Sequence, residues 1–247
     1  MKNNKRKWSI RKKLRMLWVL AGIAFMLWQF YSMQAHNVEN SLMQSDDQLT
    51  FHNTSDFYSY TPTAYYNSTL IFFPGALVQP KAYIPLCRNI AENNVKVYLI
   101  KMPWRQATMG YNKIKELDIL KNSTMTYILA GHSQGGKMAA QFVYENPDAI
   151  DKLILIGTTH PRDISLADQT LPILKIYGTN DGVADEATML KNKPMLPEKT
   201  EFKRIEGGNH SQFGYYGFQL GDDKANISRE LQQKETLESI LEFMDID

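Results

Sequence analysis

Two hydrophobic regimes divide this chain. Residues 16–28 form an unbroken apolar run, which extends to about Met33 once Gln29 is tolerated. Beyond it, apolar residues come in short clusters separated by turn residues. The clusters at 70–73, 95–101, 126–130, 152–156 and 172–177 have the length and the β-branched and aromatic content of buried strands, and 201–205 alternates like one. Segments 48–51 and 57–60 suit an antiparallel pair at a sheet edge. Helical spacing marks 82–90, 112–121 and 137–144. It marks 228–244 too, through Leu231, Leu237, Ile240 and Leu241. No repeats or low-complexity blocks interrupt this pattern. From Gln48 onward about 200 residues remain, one domain's worth.

The strand at 126–130 runs into Gly131-His132-Ser133-Gln134-Gly135-Gly136, and a helix follows. G-x-S-x-G between a strand and a helix is the signature of a nucleophile elbow. The serine sits on a sharp turn that lifts its hydroxyl off the sheet edge, and the glycines allow close backbone approach. The helix start behind it directs N–H groups at developing negative charge. The strand at 172–177 leads to Gly178-Thr179-Asn180-Asp181-Gly182, and the strand at 201–205 to Gly207-Gly208-Asn209-His210. Ser133, Asp181 and His210 therefore follow in chain order, each just past a strand, and form a candidate catalytic triad. Asp163 is the runner-up acid. The strand at 70–73 ends in Pro74-Gly75-Ala76-Leu77, where a loop can supply one oxyanion-hole donor. The candidate donors are the backbone N–H groups of Ala76 and Gln134, with Ala76 preferred over Leu77.

These stretches, with Glu206-Gly207-Gly208-Asn209-His210-Ser211-Gln212-Phe213-Gly214-Tyr215-Tyr216-Gly217, resemble the α/β-hydrolase superfamily. Within it they resemble a small, lidless bacterial group related to dienelactone hydrolases and carboxylesterases. The resemblance runs from about residue 68 to the C-terminus. It implies an α/β fold with a mostly parallel, twisted sheet of about eight strands, helices on both faces, no cap domain, and no metal or organic cofactor. It leaves the substrate open. Only about 15 residues separate 156 from 172, too few for a helical lid, so the expected site is open and suits a small or surface-presented ester. Leu77, Trp104, Phe213 and Tyr215 are candidate lining residues, with packing as their alternative role.

The N-terminus changes the picture. Lys2, Lys5, Arg6, Lys7, Arg11, Lys12, Lys13 and Arg15 precede the apolar run, and no acid occurs before Glu39. A run of this length approaches the ~17–20 residues that cross a bilayer. A cleaved signal peptide is the competing reading. The positions before His36 offer only Met33 and Ala35 as a cleavage pair, which favours an uncleaved anchor. The division expected is a basic cytoplasmic segment 1–15, an anchor 16–33, a polar linker 34–47 and a hydrolase domain 48–247, with the domain extracytoplasmic by the positive-inside rule. The formal charge of +2 comes from 28 basic and 26 acidic residues. Without the eight N-terminal cations the remainder is about −6, 20 basic against 26 acidic. The basic balance thus reflects membrane topology and gives no reason to expect a nucleic-acid partner. The single cysteine, Cys87, rules out an internal disulfide and fits a small buried position.

The expected activity is that of a serine esterase working through an acyl-enzyme. Acyl transfer, thioester cleavage or amide cleavage by the same triad are alternatives. A non-catalytic, membrane-tethered binding module is the alternative of a different class. The oligomeric state is left open.

Overall fold

Every residue of the segment 69–73 is buried, and a strand apolar on both faces is stable only when both faces are covered. The computed structural model, which describes residues 8–246, has that arrangement. The elements follow as α1 (Ile10–Ser32), β1 (Leu49–Asn53), β2 (Phe57–Pro62), β3 (Ser68–Phe73), α2 (Ile84–Ala91), β4 (Lys96–Ile100) and α3 (Lys113–Glu116). They continue as β5 (Thr126–His132), α4 (Gln134–Glu145), β6 (Lys152–Ile156), β7 (Ile173–Gly178), α5 (Glu186–Lys191), β8 (Glu201–Ile205) and α6 (Arg229–Phe243). The eight strands form one sheet in the order β1-β2-β4-β3-β5-β6-β7-β8. β2 pairs antiparallel with β1 and β4, and all other pairings are parallel.

Alternation along β3 sorts the core into two layers. Leu70 and Phe72 face α2 and α6, with Ile84, Ile90, Ile240 and Phe243. Ile71 and Phe73 face α3 and α4, with Ile114, Met138 and Phe142. The parallel register aligns the strand ends: Phe73 lies beside Gly131, His132 beside Ile156, and Gly178 beside Ile205. The loops after β3, β5, β7 and β8 therefore leave the sheet at one carboxyl edge, where open α/β sheets place their ligands.

The mostly parallel eight-stranded sheet with helices on both faces agrees with the sequence reading. One local expectation fails. Residues 112–121 spell a helix, but α3 is a single turn, and Asp118 takes a positive φ of 55° that ends it. Only Ile114 of that stretch is fully buried, so no apolar stripe anchors a longer helix. α1 begins earlier than the apolar run, because Ser9 caps it by accepting from the Lys12 N–H. Residues 1–7 of the basic segment lie outside the described residues.

The chain after α1 stays on the domain. Ala35 forms an antiparallel bridge with Tyr216, the Gln79 N–H donates to Met33 O at 2.8 Å, and Val38, Leu42 and Met43 pack on the α2 side of the core. Arg88 donates to the carbonyls of Leu42 and Gln44 and pairs with Asp46. The connection 157–172 between β6 and β7 contains no helix.

Candidate active site

Ser133 stands between the end of β5 and the start of α4 with φ 55° and ψ −120°. A non-glycine residue there carries strain that the surroundings must hold in place. They do so in two ways. The Ser133 N–H donates to Ile156 O at 2.9 Å. The first turn of α4 is also pressed against β3, where a Cβ on Gly135 would come within 2.0 Å of Phe73 O. Only glycine allows that approach, which carries the half-buried serine toward the loop leaving β3.

Asp181 and His210 meet nearby, with the His210 ring centroid 4.5 Å from that of His132, the residue before Ser133. His210 is fully excluded from solvent, Asp181 is nearly so, and His210 Nδ1 lies 2.8 Å from Asp181 Oδ2. The second carboxylate oxygen accepts from the N–H groups of Val183 (2.9 Å) and Ala184 (2.6 Å), which fixes the plane of the group. A carboxylate only accepts, so the His210 proton lies on Nδ1, and Nε2 is left with its lone pair and no partner. The Ser133 hydroxyl makes no hydrogen bond to it here, and such bonds commonly tighten only when substrate binds. Asp222 holds the histidine loop by accepting from the N–H of His210 (3.1 Å), the N–H of Ser211 (2.8 Å) and the Ser211 hydroxyl (2.6 Å).

The loop after β3 leaves one donor free. The Leu77 N–H is taken by Arg105 O at 2.8 Å and the Gly75 N–H by the Tyr83 hydroxyl at 3.1 Å, whereas the Ala76 N–H has no partner among the described residues. The Gln134 N–H is likewise free at the start of α4, where helix geometry supplies no acceptor. Its side chain accepts from the Ala107 N–H at 2.9 Å and so ties the 103–109 segment to the elbow. Tyr83 also reaches His132, with its hydroxyl 2.8 Å from Nδ1. Burial pushes the His132 imidazole well below the usual histidine range, and neighbouring His210 pushes it further.

The remaining candidates separate. Leu77 and Trp104 are exposed and line an apolar groove against α1. Phe213 is buried, with its ring centroid 5.6 Å from that of His132, and Tyr215 lies under the Arg229 guanidinium. Asp163 pairs with Lys137 and Arg162 at the surface, leaving Asp181 beside His210. Among the described residues no cluster of three or more His, Cys, Asp or Glu converges on a metal-sized site. Sequence reasoning missed Tyr83 and Asp222, which belong to no motif. It also passed over His132, whose only signal is its place inside G-x-S-x-G.

Three comparisons bear on this geometry. Searching curated proteins by sequence finds no match. Among solved structures the chain is similar to Thermogutta terrifontis esterase 2, with a TM-score of 0.58 and 17% identity over 82% of this chain and 96% of that one. It is also similar to the carboxylesterase CesB from Bacillus subtilis (TM-score 0.55, 11% identity, 83% and 94% covered). A third likeness is to Est1E from Butyrivibrio proteoclasticus (TM-score 0.55, 15% identity, 81% and 100% covered). At these identities the likeness is one of fold. A family model described as "Alpha/beta hydrolase family" matches residues 69–234, which include β3 from its second residue, the elbow, both loops carrying Asp181 and His210, and the first part of α6. The chain belongs to the α/β hydrolase family.

Proposed function

We propose that the protein is a membrane-anchored serine hydrolase that cleaves a small or surface-presented carboxylic ester. The observation that carries this reading is the His210–Asp181 pair, buried at the same sheet edge as the strained Ser133, with Nε2 of the histidine unpartnered. In the first step His210 Nε2 takes the Ser133 proton as Oγ bonds to the ester carbonyl carbon. The resulting oxyanion lies between the Ala76 and Gln134 N–H groups, and Asp181 stabilises the imidazolium. The C–O bond to the alcohol then breaks, and His210 returns the proton to the departing oxygen. Water attacks the acyl-enzyme by the same route, releasing the acid and restoring Ser133.

Residues 48–247 are the hydrolase domain in this reading, and α1 is an uncleaved anchor. Its apolar part, residues 16–33, rises about 27 Å at ~1.5 Å each, close to a hydrocarbon core of about 30 Å, with Arg11, Lys12, Lys13 and Arg15 preceding it. The hydrogen bonds of Ser32, Met33, Ala35 and His36 to the domain favour retention over cleavage before His36, which would remove most of them. The helix-free β6–β7 connection is consistent with an open, lidless site.

A fluorophosphonate probe applied to membranes of expressing cells tests both parts together. The expected result is one labelled band at the full 28.4 kDa, absent in Ser133→Ala, with that variant losing roughly 10³-fold or more of kcat on short esters. Wild-type turnover in Ser133→Ala sinks the nucleophile assignment, and a shortened, soluble labelled species sinks the anchor.

A further inference from the structure

The C-terminal end of α1 is built into the domain next to the candidate oxyanion loop. Ser32 Oγ donates to Phe218 O, the Gly217 N–H donates to Ser32 O at 2.7 Å, and a Cβ on Gly217 would lie 2.6 Å from Ser32 Oγ. On the other flank Arg105 donates to Gln34 Oε1 at 3.1 Å and holds its guanidinium 5.5 Å from the centre of the Phe30 ring. Between these attachments runs an apolar groove of about 440 Å³. Phe25, Met26 and Phe30 of α1 form one wall, and Leu77, Trp104 and Arg105 form the other. That volume falls within the ~300–1,000 Å³ typical of small-molecule sites.

Two features tie the groove to the chemistry and to the bilayer. Leu77 directly follows Ala76, so the groove opens one residue from the proposed oxyanion donor. Trp104 is 83% exposed and takes φ 51°, and Arg105 takes φ 54°. Two consecutive positive φ values in non-glycine residues, one of them a tryptophan, are strained. The loop is held by Arg105 N–H to Met102 O (3.0 Å), Gln106 N–H to Pro103 O (2.9 Å) and Leu77 N–H to Arg105 O. The result is an aromatic side chain held out toward α1, as suits the border between headgroups and acyl chains. From Phe25 to the attachment at Met33 the helix rises about 12 Å. For a helix that spans the bilayer, the inner end of the groove therefore reaches hydrocarbon depth.

We infer that this groove takes the aliphatic chain of an ester lipid from the outer leaflet of the membrane that α1 spans, so that α1 is one wall of the substrate site. The inference rests on the proposed anchored serine hydrolase. A chain sliding from bilayer to groove exchanges one apolar surrounding for another, so the groove needs continuity with the bilayer more than affinity. The ester at the end of that chain arrives beside Ala76.

The test uses the full chain reconstituted into phosphatidylcholine vesicles, as wild type and as Met26→Trp, which fills the groove from the helix side. kcat/KM is measured for 4-nitrophenyl butyrate and for 4-nitrophenyl laurate held in the same vesicles. The expected wild-type preference for laurate is tenfold or more, and Met26→Trp lowers the laurate-to-butyrate ratio at least tenfold. A wild-type ratio near one, or a ratio that Met26→Trp leaves unchanged, overturns the inference while butyrate turnover keeps the hydrolase reading standing. Loss of turnover of both esters together with loss of probe labelling in wild type overturns the hydrolase reading, and this inference with it. A second measurement stands if Met26→Trp misfolds: wild type is photo-crosslinked in vesicles to a phosphatidylcholine carrying a diazirine in its acyl chain. Labelling at Leu77 and Trp104 supports the groove, and labelling confined to α1 overturns it.

Discussion

His132 and His210 lie side by side, with ring centroids 4.5 Å apart. Both are fully excluded from solvent, and both leave Nε2 without a partner. They differ in what holds the other nitrogen. Nδ1 of His210 faces the carboxylate of Asp181, whereas Nδ1 of His132 faces the phenol of Tyr83. The Gly75 N–H also donates to that phenol, and the His132 ring has a neutral partner at Nδ1 whichever of the two carries the shared proton. One buried imidazole thus has a negative neighbour that can balance a proton gained at Nε2. The other has only a neutral one and is held uncharged, and a second cation so close to His210 would oppose the first. Burial and ring type are the same in both histidines, so what separates them chemically is the partner of the far nitrogen.

The comparison breaks most severely at Asp181. Asp181→Asn gives His210 a neutral partner, making its surroundings resemble those of His132, and the expected loss in kcat on a short ester is about 10³–10⁴-fold. Steady-state kinetics on the folded variant check this, and a loss under tenfold places the acid elsewhere. Next in size is Tyr83→Phe, which strips partners from both His132 Nδ1 and the Gly75 N–H. Stability should fall by about 1–3 kcal/mol, and kcat by roughly tenfold as the loop before Ala76 loosens. Thermal unfolding and kinetics on the same sample separate the two effects.

The smallest effect is one of pH. The folded-state pKa of His132 lies below its ordinary value near 6.5. Its neutral form therefore contributes stability that is fully present above that value. As pH falls through 6.5 the unfolded chain gains a proton that the native chain does not bind, and that stability is lost. His132→Asn should flatten this acid-side decline by up to about 1.4 kcal/mol per pH unit, while leaving kcat near neutrality within a few-fold. Unfolding measured at several pH values below 7 gives the slopes, and identical slopes in the two proteins would refute the neutral assignment.

The legibility of the site follows the same division. The candidates Ser133, Asp181 and His210 stand out because each lies at or just past the end of a strand, apolar for the first two and alternating for the third, and because the glycines around them mark turns. The sheet is legible for the same reason, since parallel strands buried on both faces read as continuous apolar clusters. Tyr83 and Asp222 leave no such trace: one belongs to an ordinary amphipathic stretch and the other to a polar loop, and only tertiary contact gives them partners. The failed helix at 112–121 shows the converse. Its spacing was adequate, but the fold offers only Ile114 a buried place.

The bonds joining Ser32, Met33, Ala35 and His36 to the domain leave no free length of chain between α1 and the fold. For an anchored protein this removes a dimension. The site keeps one height and one tilt above the lipid and searches by lateral diffusion, so its rate follows substrate per unit of membrane area. Diluting the vesicles at a fixed lipid composition would leave that rate per enzyme unchanged.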